Sequence, residues 1–153
     1  MNNMSEHSFL MPLVWPEPTS STARQQLGVL LSECARMCRD VVSNFQSFQP
    51  FSLARGRDGG FSLKNGILIP ESVDDPITYL LDSLYRMSTS YTAVAVTHDV
   101  YTENQPLMRI YLEHVGCEAF RVWIPWRRLG DDNVYLEQPV IQSTSPLIWP
   151  DSD

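Results

Sequence analysis

Residues 93–103, "AVAVTHDVYTE", and 108–128, "MRIYLEHVGCEAFRVWIPWRR", decide the fold. They hold three β-rich runs, interrupted near Asn104 and at Gly116, both turn-forming residues. Taking each interruption as a plain hairpin fixes the register. Val96 then lies opposite Leu112, and Leu112 opposite Phe120. His98, Ile110 and Val122 align in the next row, and Val100, Met108 and Ile124 in the row after. Side chains alternate across a strand, so these rows form one apolar face. The other face carries Thr97, Tyr111 and Arg121 in one row, and Asp99, Arg109 and Trp123 in another. Asp99 is then placed to pair with Arg109, Arg109 to lie on Trp123, and Arg121 on Tyr111. Each such contact is worth roughly 0.2–1 kcal/mol. Two readings of this face stand side by side: a solvated sheet surface, or a binding surface built from the residue types that anchor interfaces. The register puts His98 toward the core.

Upstream, "DDPITYLLDSLYRM" (74–87) reads as a helix capped by Asp74 or Asp75, with Pro76 in its first turn. Ile77, Leu80, Leu81 and Leu84 form its apolar stripe. Before it, "FSLAR", "GFSLK" and "ILIP" read as a three-stranded meander over residues 50–70, turning at "RDGG" and at Asn65–Gly66. A long helix precedes the meander. Ser20, Ser21 or Thr22 caps it, and Leu27, Leu30, Leu31, Cys34, Cys38, Val41, Val42 and Phe45 recur at helical spacing until about Gln46. Strands are expected at 91–101, 106–114, 118–126 and 133–141, and Trp149 anchors the tail "SPLIWPDSD". Grouped strands joined by tight turns predict an α+β fold: a mostly antiparallel sheet with both helices on one face. Residues 1–20 form an apolar, proline-rich arm that packs across its own domain or onto a second subunit; residues 21–153 form a single domain.

The 153 residues are enough for one core. The net charge of -7 opposes nucleic-acid and anionic-membrane partners, because binding phosphate requires a basic surface. No signal peptide or membrane-length apolar run is evident. The three cysteines do not form a disulfide framework, which predicts a cytoplasmic protein. Cys34 and Cys38 share one helical face, but a zinc site needs two further ligands, and the stripe predicts core packing instead. No cofactor and no metal are expected. Glu113, His114 and Cys117 gather at a turn, where a thiol–imidazole pair could act as nucleophile and base; the walls that acyl chemistry needs are missing there. None of the nucleotide-binding, hydrolase or metalloprotease signatures occurs.

The run from 91 to 128, with its "LEH" strand and the closing "PWRR" (Pro125 to Arg128), resembles a pattern in small bacterial α+β proteins of unassigned function, whose last strand ends in a "PYRR"-like sequence. The resemblance implies bacterial origin and an α+β sheet, and carries no site residues. The leading expectation is a non-enzymatic protein-binding or regulatory protein, with an inhibitor or immunity protein as one form it would take. It would bind a protein partner or itself as a homodimer, through residues 1–20 or through Arg109, Tyr111, Arg121, Trp123, Arg127 and Arg128. The alternative is a small enzyme or ligand-binding protein with a pocket between helices and sheet.

Overall fold

The computed structural model describes residues 13–44, 49–64, 69–70, 72–101, 105–116, 118–130 and 133–150. Helix α1 spans Ser21–Asn44. It starts where it does because Ser20 Oγ accepts the Ala23 amide at 3.1 Å. Ser20 also donates its own N–H and hydroxyl to the two Glu118 carboxylate oxygens, each at 2.8 Å, which ties the helix start to the sheet. Leu27, Leu30, Leu31, Cys34, Cys38 and Val42 are fully buried along one stripe.

The sheet comprises β1 (Phe51–Gly56), β2 (Phe61–Lys64), β3 (Tyr91–Tyr101), β4 (Pro106–His114), β5 (Glu118–Arg128), β6 (Val134–Leu136) and β7 (Val140–Ser143). All pairings are antiparallel, in the order β2-β1-β3-β4-β5; β5 is then flanked by β7 along one half and by β6 along the other. The α+β class and antiparallel sheet are as expected. The single strand expected over 133–141 is two short ones. Glu137 N–H still reaches Pro125 O at 2.8 Å, but Pro125 has no amide to return the bond, and Pro139, between the two strands, has none either. The β1–β2 turn follows its sequence signal, with Gly59 at φ 89° and Asp58 Oδ1 accepting the Gly60 amide at 2.9 Å. The Asn65–Gly66 turn, Ile67 and Leu68 lie outside the described residues; Ile69 and Pro70 are not strand.

The two helices divide between the sheet faces, which corrects the expectation of one shared face. Helix α1 packs on Phe51, Leu53, Ala93, Ala95, Ile110, Leu112, Phe120 and Val122. Helix α2 (Pro76–Arg86) packs through Leu80 and Leu84 on Ala54, Val94 and Val96, together with Ile148 from the tail. Adjacent residues of β3 thus serve opposite cores. Asp75 caps α2, accepting the Ile77 and Thr78 amides at 3.1 and 3.2 Å.

The β4–β5 hairpin has the expected register: Leu112↔Phe120, Tyr111↔Arg121, Ile110↔Val122, Arg109↔Trp123 and Met108↔Ile124. The β3–β4 hairpin is offset by one residue, with Ala95↔Leu112, Thr97↔Ile110 and His98↔Arg109. The loop between paired Tyr101 and Pro106 holds an even number of residues, so no single residue such as Asn104 can be its centre. The offset moves Val96 and His98 to the α2 face and puts Thr97, fully buried, beneath α1. Asp99 pairs with Met108, so it is not the cross-strand neighbour of Arg109.

Residues 13–20 of the arm fold back on their own domain. Leu13 and Trp15 pack against the α1 core, and Trp15 meets Phe120 edge-on with ring centroids 5.3 Å apart. Replacing Leu31, at the centre of the α1 contact, with alanine should cost about 2–5 kcal/mol in urea unfolding. Val14→Ala, on a side chain 72% exposed, should change stability by less than about 0.5 kcal/mol.

Candidate functional site

The α2 face of the sheet is built around a buried carboxylate. Glu113 on β4 is fully inaccessible, yet no ion pair reaches it among the described residues. Its Oε1 accepts the Leu147 and Ile148 amides, both at 2.8 Å, and its Oε2 accepts the Trp149 amide at 2.7 Å. The Tyr111 hydroxyl donates to the same Oε1 and accepts the Leu147 amide at 2.9 Å. Three consecutive main-chain N–H groups thus form an anion cradle that replaces the lost water. Burial, followed by the neighbouring Glu113 carboxylate, holds the Tyr111 hydroxyl well above the usual phenol range. The Trp149 ring completes the anchor expected of it, donating Nε1–H to Ser88 O at 3.2 Å.

Beside this clamp lies a recess of about 210 Å³. Ile77 and Leu81 of α2 form one wall and Leu147 of the tail another; His98, Arg109 and Arg121 approach from the sheet. Tyr111 forms part of its lining. His98 is half-buried at the surface of this face, not in the α1 core. Burial first, then the Arg109 guanidinium, lowers its pKa, while Asp75 at the α2 cap acts the other way. Arg109 lies over the Trp123 ring, 5.7 Å from its centroid. Among the described residues no ion pair joins Arg109 or Arg121 to a carboxylate.

The six candidate binding residues therefore separate. Arg109, Tyr111, Arg121 and Trp123 share one face, and the first three line the recess. Arg127 stands at the end of β5 over Tyr135, 5.0 Å from its ring centroid. Arg128 points toward α1: it donates to Val42 O at 2.8 Å and lies 5.7 Å from the Trp126 ring centroid. A guanidinium on a last-turn carbonyl satisfies an acceptor that the helix itself cannot. Asp131 and Asp132, the acidic residues that follow β5 in the sequence, lie outside the described residues, as does Cys117.

Glu113 and His114 do not converge. The carboxylate serves the tail clamp; the imidazole is buried on the other face, 3.1 Å from Gln26 Oε1, with Nδ1 accepting the Gly116 amide at 3.2 Å. The amide contact assigns the proton to Nε2, which donates to Gln26. Cys34 and Cys38 lie in the α1 core, where burial pushes the Cys34 thiol up to about 12. Among the described residues no three His, Cys, Asp or Glu side chains gather as a metal site, and no helix is long and apolar enough to cross a membrane. No protein-family model, curated protein or solved structure matches the chain.

Glu113→Gln should lower stability by roughly 2–4 kcal/mol, because the clamp loses its charge and one acceptor. Amide exchange at 147–149 should quicken with it; an unchanged unfolding curve would show that the clamp contributes nothing. The histidines set a pH dependence. His98 and His114 both have folded pKa values below the ordinary 6.5. Below that value the unfolded chain binds more protons, so their contribution is intact above about pH 6.5 and is lost as pH falls through the folded values. His114→Gln should flatten the fall in thermal midpoint between pH 7 and 5.

Proposed function

We propose that the chain is a non-enzymatic protein-binding or regulatory module whose contact surface is the open part of the α2 face. The observation that carries this is the grouping of Arg109, Arg121 and Trp123 around the recess, on a face left partly open beside α2 and the tail. Arginine and tryptophan supply large, preorganised contact area at interface centres. The separation of Glu113 from His114, together with the full commitment of Glu113 to the tail, speaks against turnover at that hairpin.

The partner is another protein or a second copy of the chain, and an inhibitor-like or immunity-like role fits the small single-domain form. The packing of residues 13–20 on their own core favours the sheet face over this part of the arm as the contact. A cytoplasmic setting fits the buried free thiols, and the β3–β5 pattern keeps the resemblance to small bacterial proteins as the proposed origin. A second reading, a small-ligand protein, is favoured by the recess between α2 and the sheet. Its volume weighs against that reading, because ligand pockets commonly occupy about 300–1,000 Å³.

A two-hybrid screen of the host genome tests the proposal, using the wild-type chain and the Arg121→Ala/Trp123→Ala double variant as baits. Partners should bind the wild type and be lost, or bind at least about tenfold more weakly, with the double variant. Partners that all survive the double change would place the contact elsewhere. Sedimentation velocity across the micromolar range separates self-association from a foreign partner: only the former makes the sedimentation coefficient rise with concentration.

A further inference from the structure

We infer that the recess between α2, β4 and β5 is the anchor site for one acidic side chain, a glutamate or aspartate next to an apolar residue, carried on a segment of the partner protein. This deepens the protein-binding reading and rests on it. The recess, at about 210 Å³, has the size for a single side chain. Its chemistry is asymmetric. Arg109 and Arg121 reach it from adjacent strands, and among the described residues neither has a carboxylate partner. A guanidinium fork matches the two oxygens of a carboxylate, and charge-assisted bonds of this kind are about twice as strong as neutral ones. Stacking on Trp123 occupies one side of Arg109 and limits its freedom before anything binds.

The walls fit the rest of such a residue. Ile77 and Leu81 are partly buried and apolar, so they cover the stem of the anchor. Leu147, 52% exposed at the rim, offers a contact for the apolar neighbour. Other anions fit less well. A nucleic acid tracks along rows of cations, and two arginines in a recess on a chain of net charge -7 provide no such row.

His98 makes the site proton-linked. The charged groups facing it are Arg109 from β4, which disfavours the imidazolium, and Asp75 from the α2 cap, which favours it. The Asp75 carboxylate is already engaged by two amides and the Thr78 hydroxyl, at 2.7 Å for the last. A carboxylate seated between the arginines adds a second negative charge beside the ring, so binding takes up a proton and tightens as pH falls toward 6.

The test selects random heptapeptides displayed on phage against the immobilised full chain, then measures synthetic copies by calorimetry. Selected peptides should carry Glu or Asp beside an apolar residue. Changing that acid to its amide should weaken binding about tenfold or more, and Arg121→Gln in the protein should do the same. The His98→Gln variant should abolish the gain in affinity between pH 8 and pH 6. The amide-substituted peptide leaves the protein untouched, so its result does not depend on how a variant folds. Peptides that bind equally well as amides, or that ignore Arg109→Gln and Arg121→Gln, overturn the acidic anchor and leave the protein-binding reading standing. Failure to select any peptide also overturns the linear acidic anchor, and the protein-binding reading then stands or falls with the two-hybrid result.

Discussion

A carboxylate removed from water must find its hydrogen bonds inside the protein, and that requirement at Glu113 organises one whole side of the molecule. Three tail amides and a phenol meet it. Once the tail is drawn onto the sheet, Ile148 enters the core under α2, Trp149 reaches back to Ser88, and Leu147 becomes a wall of the recess. A bond network between a strand residue and a segment more than thirty positions later thus fixes the boundary of the candidate contact surface. Mutual support of this kind is costly to break, because without the carboxylate the Ile148 and Trp149 amides lose the acceptor that holds them.

The two cores divide labour along β3. Ala93 and Ala95 lie under α1, where small side chains allow a long helix to approach, and Val94 and Val96 fill the space under α2. The α1 side holds the larger core and includes Cys34 and Cys38. The α2 side is thinner, because an eleven-residue helix and a short tail leave part of the sheet open. His98, Arg109, Tyr111 and Arg121 collect on that thinner side, where the sheet provides rigidity and the incomplete cover provides access.

Much of the fold was legible because it rests on local signals. The serine and aspartate caps, the proline at the start of α2 and the glycine turn after β1 act within a few residues of themselves. The β4–β5 register was legible because both strands alternate cleanly about Gly116. The β3–β4 register was not. Burial of β3 on both faces erased the alternation that distinguishes one register from the next, and buried Thr97 reads as a surface residue. The helix placement failed for the same reason, since Val96 was assigned to the only face expected to be covered. Of the site, the Arg109–Trp123 and Tyr111–Arg121 neighbours followed from the register. The place of His98 beside them did not, and neither did the role of Glu113, because its main partners are backbone amides that leave no side-chain signature.

The outer edge of β5 carries a further consequence. It is shared by β6 and β7, three and four residues long, with Pro139 between them. A foreign strand arriving there would find a few ladder bonds, then an irregular gap in which Pro139 has no amide to offer, then a few more. Continuous growth of the sheet in that direction is blocked by the covalent chain itself, without a charged gatekeeper. The fold thereby closes one of its sides to templated aggregation using only the spacing of two short strands.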